Sequence, residues 1–452
     1  RTFNFRMWLD SNNKDIWTSE DIEGKDYQVK ISVVGTVKTR PKDDLYVAAL
    51  IDGVESSTFP TTNKYNASVE CTRNGKKIDA KESIDWSGTE WELTTKIKSG
   101  NVRCNATFES LAPAPNGWYE AGNGTLLASL RDNNTLKTPI TTPGAAVSTA
   151  DEALLASAED DYGTSYYFRG AVTNNYVEFA NKCWRIVRVS GDGSVKLILH
   201  NDNPTGAANP CDAANNSASA AFARYSGETY KSAFNEKTDD NAYLGFMYGA
   251  AGATDYASIH ANTNKSTILT NLETWYNNNI SDYADKIADT VWCNDKTIVK
   301  DTTYNPSSYG GNATGLGFGI NKTWYGAAQR LLSTSGSAGG TGPSLKCNGD
   351  LSKINSKVGL ITADELAFAG YAYGLENSTT YLQENATDTY WCSLSPGLFN
   401  GSYALVWYII GSSGDFAHVY VFYTSGVRPS ISLKSTTNVT GNGTSEDPYV
   451  VE

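Results

Sequence analysis

Seven cysteines, three histidines and a dense set of aromatic residues are the groups in this 452-residue sequence that could carry chemistry. His200, His260 and His418 are the imidazoles open to a general acid or base, and none stands in a recognisable nucleophile context. No G-x-S-x-G, H-E-x-x-H or G-x-x-x-x-G-K-[ST] occurs. The Gly-rich run 310–319 follows no strong strand, and no Lys-Ser/Thr of the right spacing comes after it, so it is not read as a phosphate loop. Without a C-x-x-C pair the cysteines are read as structural disulfides rather than as zinc ligands. The acidic pairs Asp160/Asp161 and Asp239/Asp240 read as solvated turns. No catalytic residue, metal or cofactor is expected, and the chain is read as a binding protein rather than an enzyme.

The segment Tyr403–Thr424 is the strongest candidate for a binding face. It concentrates Tyr403, Trp407, Tyr408, Ile410, Asp415, Phe416, His418, Tyr420 and Phe422, and it holds no Asn although Asn is common elsewhere. Large aromatic side chains supply contact area at low entropic cost, which suits recognition. Successive strand residues face opposite sides. Tyr408, Phe416, His418, Tyr420 and Phe422 are therefore expected to face outward, with Trp391, Trp407 and the Val427-Arg428-Pro429 strand in the core. The competing reading is a buried aromatic hairpin.

Thirty-seven basic against 49 acidic residues give a net charge of −12. With no basic run, a nucleic-acid backbone is a poor partner. No apolar stretch approaches the roughly 20 residues of a spanning helix. Charged residues are only 19% and aromatic ones 12% of the chain, the profile of a loop-rich β protein.

The elements that must position these groups follow from turn spacing. Residues 1–38 carry two strand patterns, Thr2–Leu9 and Tyr27–Val37, that read as the end of a preceding β module. The chain opens mid-pattern without an initiator Met, as the middle of a longer product would. Residues 39–112 alternate in short runs broken by Asp52-Gly53 and Asn74-Gly75, which predicts a small β-sandwich. Cys71 and Cys104 lie in two of its strands with Trp86 and Trp91 between them, which predicts a cross-sheet disulfide packed on an aromatic; the alternative is two free buried thiols. Residues 113–160 form a Pro-containing connector, with a helix predicted after the capping-box pattern Thr149-Ala-Asp-Glu152. Beyond 161, a hairpin is predicted around Gly191-Asp-Gly193, and helices over Ser266–Tyr276, after Ser281 and after Thr362. The polar stretches 203–265 and 296–350 are expected to be ordered by packing.

Residues 161–452 also carry motifs with a family resemblance. Tyr166-Tyr-Phe-Arg-Gly170, Cys183-Trp-Arg-Ile-Val-Arg-Val189, Ile361-Thr-Ala-Asp-Glu365, Tyr390-Trp-Cys-Ser-Leu-Ser-Pro396 and Gly426-Val-Arg-Pro-Ser-Ile-Ser-Leu433 resemble secreted surface proteins of Firmicutes. The last two look like the C-type lectin-like fold in the variant shared with formylglycine-generating enzymes. Residues 39–112 are similar to the Ig-like modules that precede it. The resemblance implies mainly β N-terminal modules, with an Ig-like β-sandwich, followed by an α+β C-type lectin-like domain over 161–452. It does not carry calcium-dependent sugar binding, because Trp292-Cys-Asn-Asp295 interrupts the usual Trp-Asn-Asp element. Cys183 is expected to pair with Cys392 and Cys293 with Cys347, which leaves Cys211 odd. The Asn-free segment stands where retroelement-diversified lectin-like proteins vary. The implied function is an extracellular surface adhesin for a protein or glycan ligand on another cell; the alternative is a fibre subunit that self-associates through its terminal strands.

Overall fold

The computed structural model describes residues 45–51, 54–60, 65–87, 90–97, 100–110, 118, 121–306, 313–347 and 352–452. The strands expected within 1–38 and part of the Gly-rich run lie outside the described residues. The fold is mainly β, with several sheets and few helices. The chain divides into two compact units, Arg1–Leu111 and Ala112–Glu452.

In the first unit, β1 (Tyr46–Ile51), β2 (Val54–Ser56), β3 (Tyr65–Arg73), β4 (Lys76–Lys77) and β7 (Val102–Ser110) form one sheet in the order β2-β1-β7-β3-β4. A separate ribbon pairs β5 (Ser83–Trp86) with β6 (Trp91–Thr94). Asn74 and Gly75 both take positive φ, 52° and 74°, which makes the tight β3–β4 turn that the Asn-Gly pair predicts. Cys71 and Cys104 are bonded as expected. Their bridge, however, joins register partners on neighbouring strands of one sheet rather than crossing between sheets. Trp91 packs edge-on to Phe108 instead, at 5.4 Å, in a cluster with Ala49, Ile84 and Ala106.

The second unit opens with α1 (Leu126–Asn133), capped by the Thr125 hydroxyl, which accepts from the Ala128 N–H. This helix is absent from the sequence reading. The helix expected after Thr149 is a strand, β8 (Ala153–Asp160), paired residue for residue with β9 (Gly163–Gly170). Glu152 does not close a capping box. Its carboxylate accepts from the Ile140 and Thr141 N–H groups and pairs with the buried Arg169 at 3.0 Å. Leu155 then joins the main core, while Leu154 and Ala156 pack with Tyr167 and Phe368. A strand covered on both faces carries no alternation, so its apolar run is indistinguishable from a helical stripe.

The main sheet runs β23 (Ser430–Leu433), β12 (Val195–Asn201), β11 (Lys182–Val189), β10 (Tyr176–Phe179), β25 (Tyr449–Val451) and β24 (Val439–Thr440), with β9 also pairing β11. A second sheet runs β13 (Lys231–Ala233), β22 (Thr424–Gly426), β19 (Trp391–Phe399), β20 (Ala404–Ile409) and β21 (Phe416–Tyr420), with β17 (Thr323–Trp324) on β19. Two ribbons, β14 (Met247–Tyr248) with β15 (Asn264–Lys265) and β16 (Thr290–Cys293) with β18 (Lys353–Ser356), complete the strands.

Of the helices, α2 spans Tyr256–His260, α3 Thr267–Asn279, α4 Gly326–Leu331 and α5 Ala363–Ala369. In α3, as predicted, Leu269, Leu272, Trp275 and Tyr276 are buried, and Ser266 caps its start. The capping box at Thr362 and Glu365 opens α5. After Ser281 there is only a single 3₁₀ turn, Ser281–Tyr283.

The cysteine pairing differs in part from expectation. Cys293 bonds Cys347, but Cys183 bonds Cys211, and Cys392 is a free, buried thiol. The reason is the loop after β12. Asn201 donates to the Pro210 and Asn215 carbonyls, and Asn209 accepts from the Cys211 N–H, which sets Cys211 against β11. Cys392, in the other sheet, lies 3.3 Å from the Ser425 hydroxyl, and burial pushes its thiol up to about 11. Alkylation of the native protein should therefore label no described cysteine, and unfolding without reductant should expose one thiol, at Cys392. Replacing Cys183 and Cys211 together by Ala should cost about 3 kcal/mol in denaturant unfolding.

Candidate binding face

The β20–β21 pairing decides where the candidate residues point. Leu405, Trp407 and Ile409 stand opposite Tyr420, His418 and Phe416, so these six share one side of the sheet, and Tyr408 stands opposite Ala417 on the other. Tyr408 is half-buried and meets Tyr390 edge-on at 5.4 Å. The predicted binding residues Tyr403, Tyr408, Ile410, Asp415, Phe416, His418, Tyr420 and Phe422 therefore do not form one surface.

Phe416, expected to face solvent, is fully buried. It lies 4.7 Å from Trp407 and 6.2 Å from Tyr371, because residues 371–374 cover this side of the sheet and the Gly374 N–H donates to the Phe416 carbonyl. His418 is half-buried, with its ring centred 4.2 Å from Trp407 and 5.4 Å from Tyr373. A Cβ at Gly397 would stand 2.6 Å from the His418 Cδ2, so only glycine leaves room for the imidazole there. Its Nε2 is sealed from solvent without a partner, and burial brings the ring down to about 3. Ile410 and Asp415 are half-buried in the β20–β21 turn, where the Ile410 N–H donates to the Asp415 carbonyl. Trp391, Trp407, Val427 and Arg428 are buried as predicted.

The exposed aromatic surface forms where the strands end. Tyr403 is 43%, Phe422 39% and Tyr423 45% exposed, with Tyr420 half-buried among them. Tyr420 and Phe422 stack at 5.5 Å and 16°, and Tyr423 stands nearly perpendicular to both at 5.6 and 4.9 Å. Tyr403 meets Tyr420 edge-on at 5.2 Å. A turn in which the Tyr423 N–H donates to the Tyr420 carbonyl places the last ring. Tyr423 lies inside the predicted segment but was not among the predicted binding residues, because strict alternation carries no signal past a strand end.

A second gathering of titratable groups lies under α5. Arg188 pairs with Asp160 and Glu365, both at 2.8 Å, and Lys196 with Glu365 at 2.6 Å. Arg330 grips Asp364 through two 2.7 Å hydrogen bonds and reaches Asp295 at 2.8 Å. Burial raises the Glu365 carboxyl, and the pull of Lys196 and Arg188 outweighs it to leave it at about 2. These carboxylates line a cleft, but each is already met by a cation, so the arrangement braces the fold. Asp295, at the end of Trp292-Cys-Asn-Asp295, is held by Arg330, and Cys293 by Cys347. Among the described residues no group of three or more His, Cys, Asp and Glu is disposed to hold a metal ion.

The remaining imidazoles are equally enclosed. Burial, with Arg185 and Arg428 nearby, holds His200 well below its usual range. Burial and Lys296 bring His260 to about 3, and its Nε2 lies 2.7 Å from the Gly317 carbonyl. Lys296 is a buried cation that the sequence reading missed. Burial lowers it to about 7, and it donates to the Met247 and His260 carbonyls and to the Asn262 amide oxygen. Comparison of the chain with protein-family models, with curated proteins and with solved structures finds no match.

Proposed function

We propose that this chain is an extracellular surface adhesin, in which a C-type lectin-like unit displays the Tyr403, Tyr420, Phe422 and Tyr423 rings to a ligand on another cell and an Ig-like module precedes it. The observation that carries this reading is the cluster itself: three exposed rings packed on one another at the edge of a sheet whose other aromatic residues are mostly enclosed. Contiguous exposed aromatic surface marks recognition sites, whereas singly scattered apolar residues carry no such meaning.

Three disulfides favour an oxidising location, and no described helix is long and apolar enough to cross a membrane. Imidazoles held neutral and carboxylates already paired favour binding over acid–base catalysis. The C-terminal strand β25 is already bonded on both sides, to β10 and β24, which favours display over fibre assembly through that strand. Variation confined to 403–424 among coding sequences from several isolates would support a diversified face.

The test is cell binding by the purified chain. Phe422→Ala and Tyr423→Ala should each weaken it at least tenfold while the chain stays folded, at a cost of about 1–2 kcal/mol from the lost ring contacts. Unchanged binding in both variants would remove the face from the function.

A further inference from the structure

We infer that the second unit holds one buried halide ion, chloride being the common one, against the Arg428 guanidinium, with His200 and Tyr381 as further donors. Charge is the first reason. Two guanidiniums are fully enclosed here, those of Arg185 and Arg428. Glu384 meets Arg185 at 3.1 Å. Among the described residues no carboxylate pairs with Arg428, whose Nε and Nη1 donate instead to the Leu199 and Leu382 carbonyls. Tyr371 and Tyr381 do not supply the counter-charge, since burial pushes both phenols above their usual range and keeps them neutral. Burial brings the Arg428 guanidinium down to about 10, which leaves it charged at neutral pH. A buried charge without a partner is costly, and a bound anion removes that cost.

Hydrogen bonding is the second reason. Arg428 Nη2, the Tyr381 hydroxyl and His200 Nδ1 are sealed from solvent without a partner. His200 Nε2 lies 3.2 Å from Asn385 Nδ2, a donor, so the neutral ring carries its hydrogen on Nδ1. All three groups therefore offer hydrogens and lack an acceptor. They surround one place in the fold. Arg428 bonds the carbonyls of Leu199 and Leu382, the chain neighbours of His200 and Tyr381. Arg185 stands 5.2 Å from the Tyr381 ring and 3.7 Å from the Tyr176 ring, which in turn meets His200 at 5.3 Å. Trp391, its ring centre 4.6 Å from the Arg428 guanidinium, adds another buried N–H without an acceptor. A water molecule would bring two hydrogens of its own into a site already rich in donors. Arg428, His200, Tyr381 and Trp391 are at most 3% exposed, which suits an occupant of about the size of a water molecule and excludes a carboxylic or phosphoric acid.

The experiment melts the full chain in sodium gluconate, chloride and bromide at one ionic strength, and locates bromide by anomalous diffraction from crystals grown in that salt. Chloride and bromide should raise the melting midpoint saturably above its value in gluconate, whose anion is too large for the site, because an ion bound only by the folded chain stabilises it by mass action. One bromide per chain should lie within hydrogen-bond reach of Arg428 Nη2 and the Tyr381 hydroxyl. Tyr381→Phe removes one donor, so its apparent halide affinity should fall about tenfold, as for one hydrogen bond to a charged group. In gluconate the same variant should melt no lower than the parent, since its hydroxyl then has no partner to lose. Equal midpoints in the three salts, water alone beside Arg428, bromide at surface positions only, or an unchanged halide dependence in Tyr381→Phe would overturn the inference.

Discussion

Glu365→Gln is expected to destabilise the C-terminal unit by about 3–5 kcal/mol, the range for removing one member of a buried ion pair. Glu365 is the carboxylate of Lys196 and one of two for Arg188, and the three side chains are nearly inaccessible. The amide keeps the shape but leaves Lys196 a buried cation without a counter-charge, while Arg188 retains Asp160. The same carboxylate accepts from the Thr362 N–H at the start of α5, so the helix loses part of its cap as well. Urea denaturation of parent and variant measures the difference. The exposed pair Lys265–Glu273 supplies the contrast: Lys265→Met should cost less than about 1 kcal/mol. A Glu365→Gln protein within 1 kcal/mol of the parent would show that the network does not brace the fold.

Acid should begin to destabilise the C-terminal unit from about pH 6.5, through its buried imidazoles, before its carboxylates protonate. An imidazole in an unfolded chain titrates near pH 6.5. His260 and His418 stay neutral down to about pH 3 in the fold, and His200 is likewise well below its usual value. Below about pH 6.5 the unfolded chain therefore binds up to three protons that the folded one refuses, and stability falls as pH drops. Each such proton lowers stability by roughly 1.4 kcal/mol per pH unit, so His260 and His418 together give roughly 3 kcal/mol per unit, and His200 adds in the same direction. Glu365 adds a second window. Its folded carboxyl sits at about 2 against roughly 4.3 unfolded, so its contribution is present above pH 4.3 and is lost as pH falls toward 2. Against a typical stability of about 5–15 kcal/mol, the histidine term alone should bring unfolding by about pH 4. Denaturant midpoints at pH 7.5, 6 and 5 should decline steeply, and His418→Phe should make the decline shallower. A flat profile between pH 7.5 and 4.5 would contradict neutral burial of these rings.

Elements announced by strong local chemistry were legible in the chain. Ser266 before a helical stripe, the Thr362/Glu365 capping box and the Asn74-Gly75 turn each satisfy their own backbone groups, so their signals survive in any surroundings. Thr149-Ala-Asp-Glu152 carries the same letters as a capping box and was misread, because Arg169 claims the Glu152 carboxylate and β9 offers a pairing partner. Only the folded chain brings either to that place. Short-range spacing likewise could not choose between Cys211 and Cys392 as the partner of Cys183, since loop hydrogen bonds from Asn201 and Asn209 make that choice.

By itself the sequence determined that this is a mainly β protein with an aromatic segment before Val427, and it pointed to the Cys71–Cys104 and Cys293–Cys347 bridges that the fold contains. Tertiary structure alone decided which of those aromatic rings meet solvent. Alternation assigns sides to a strand, but exposure depends on what covers each side. Residues 371–374 close over Phe416 and His418, while nothing printed in the strand pattern marks the turn beyond β21 that leaves Phe422 and Tyr423 open.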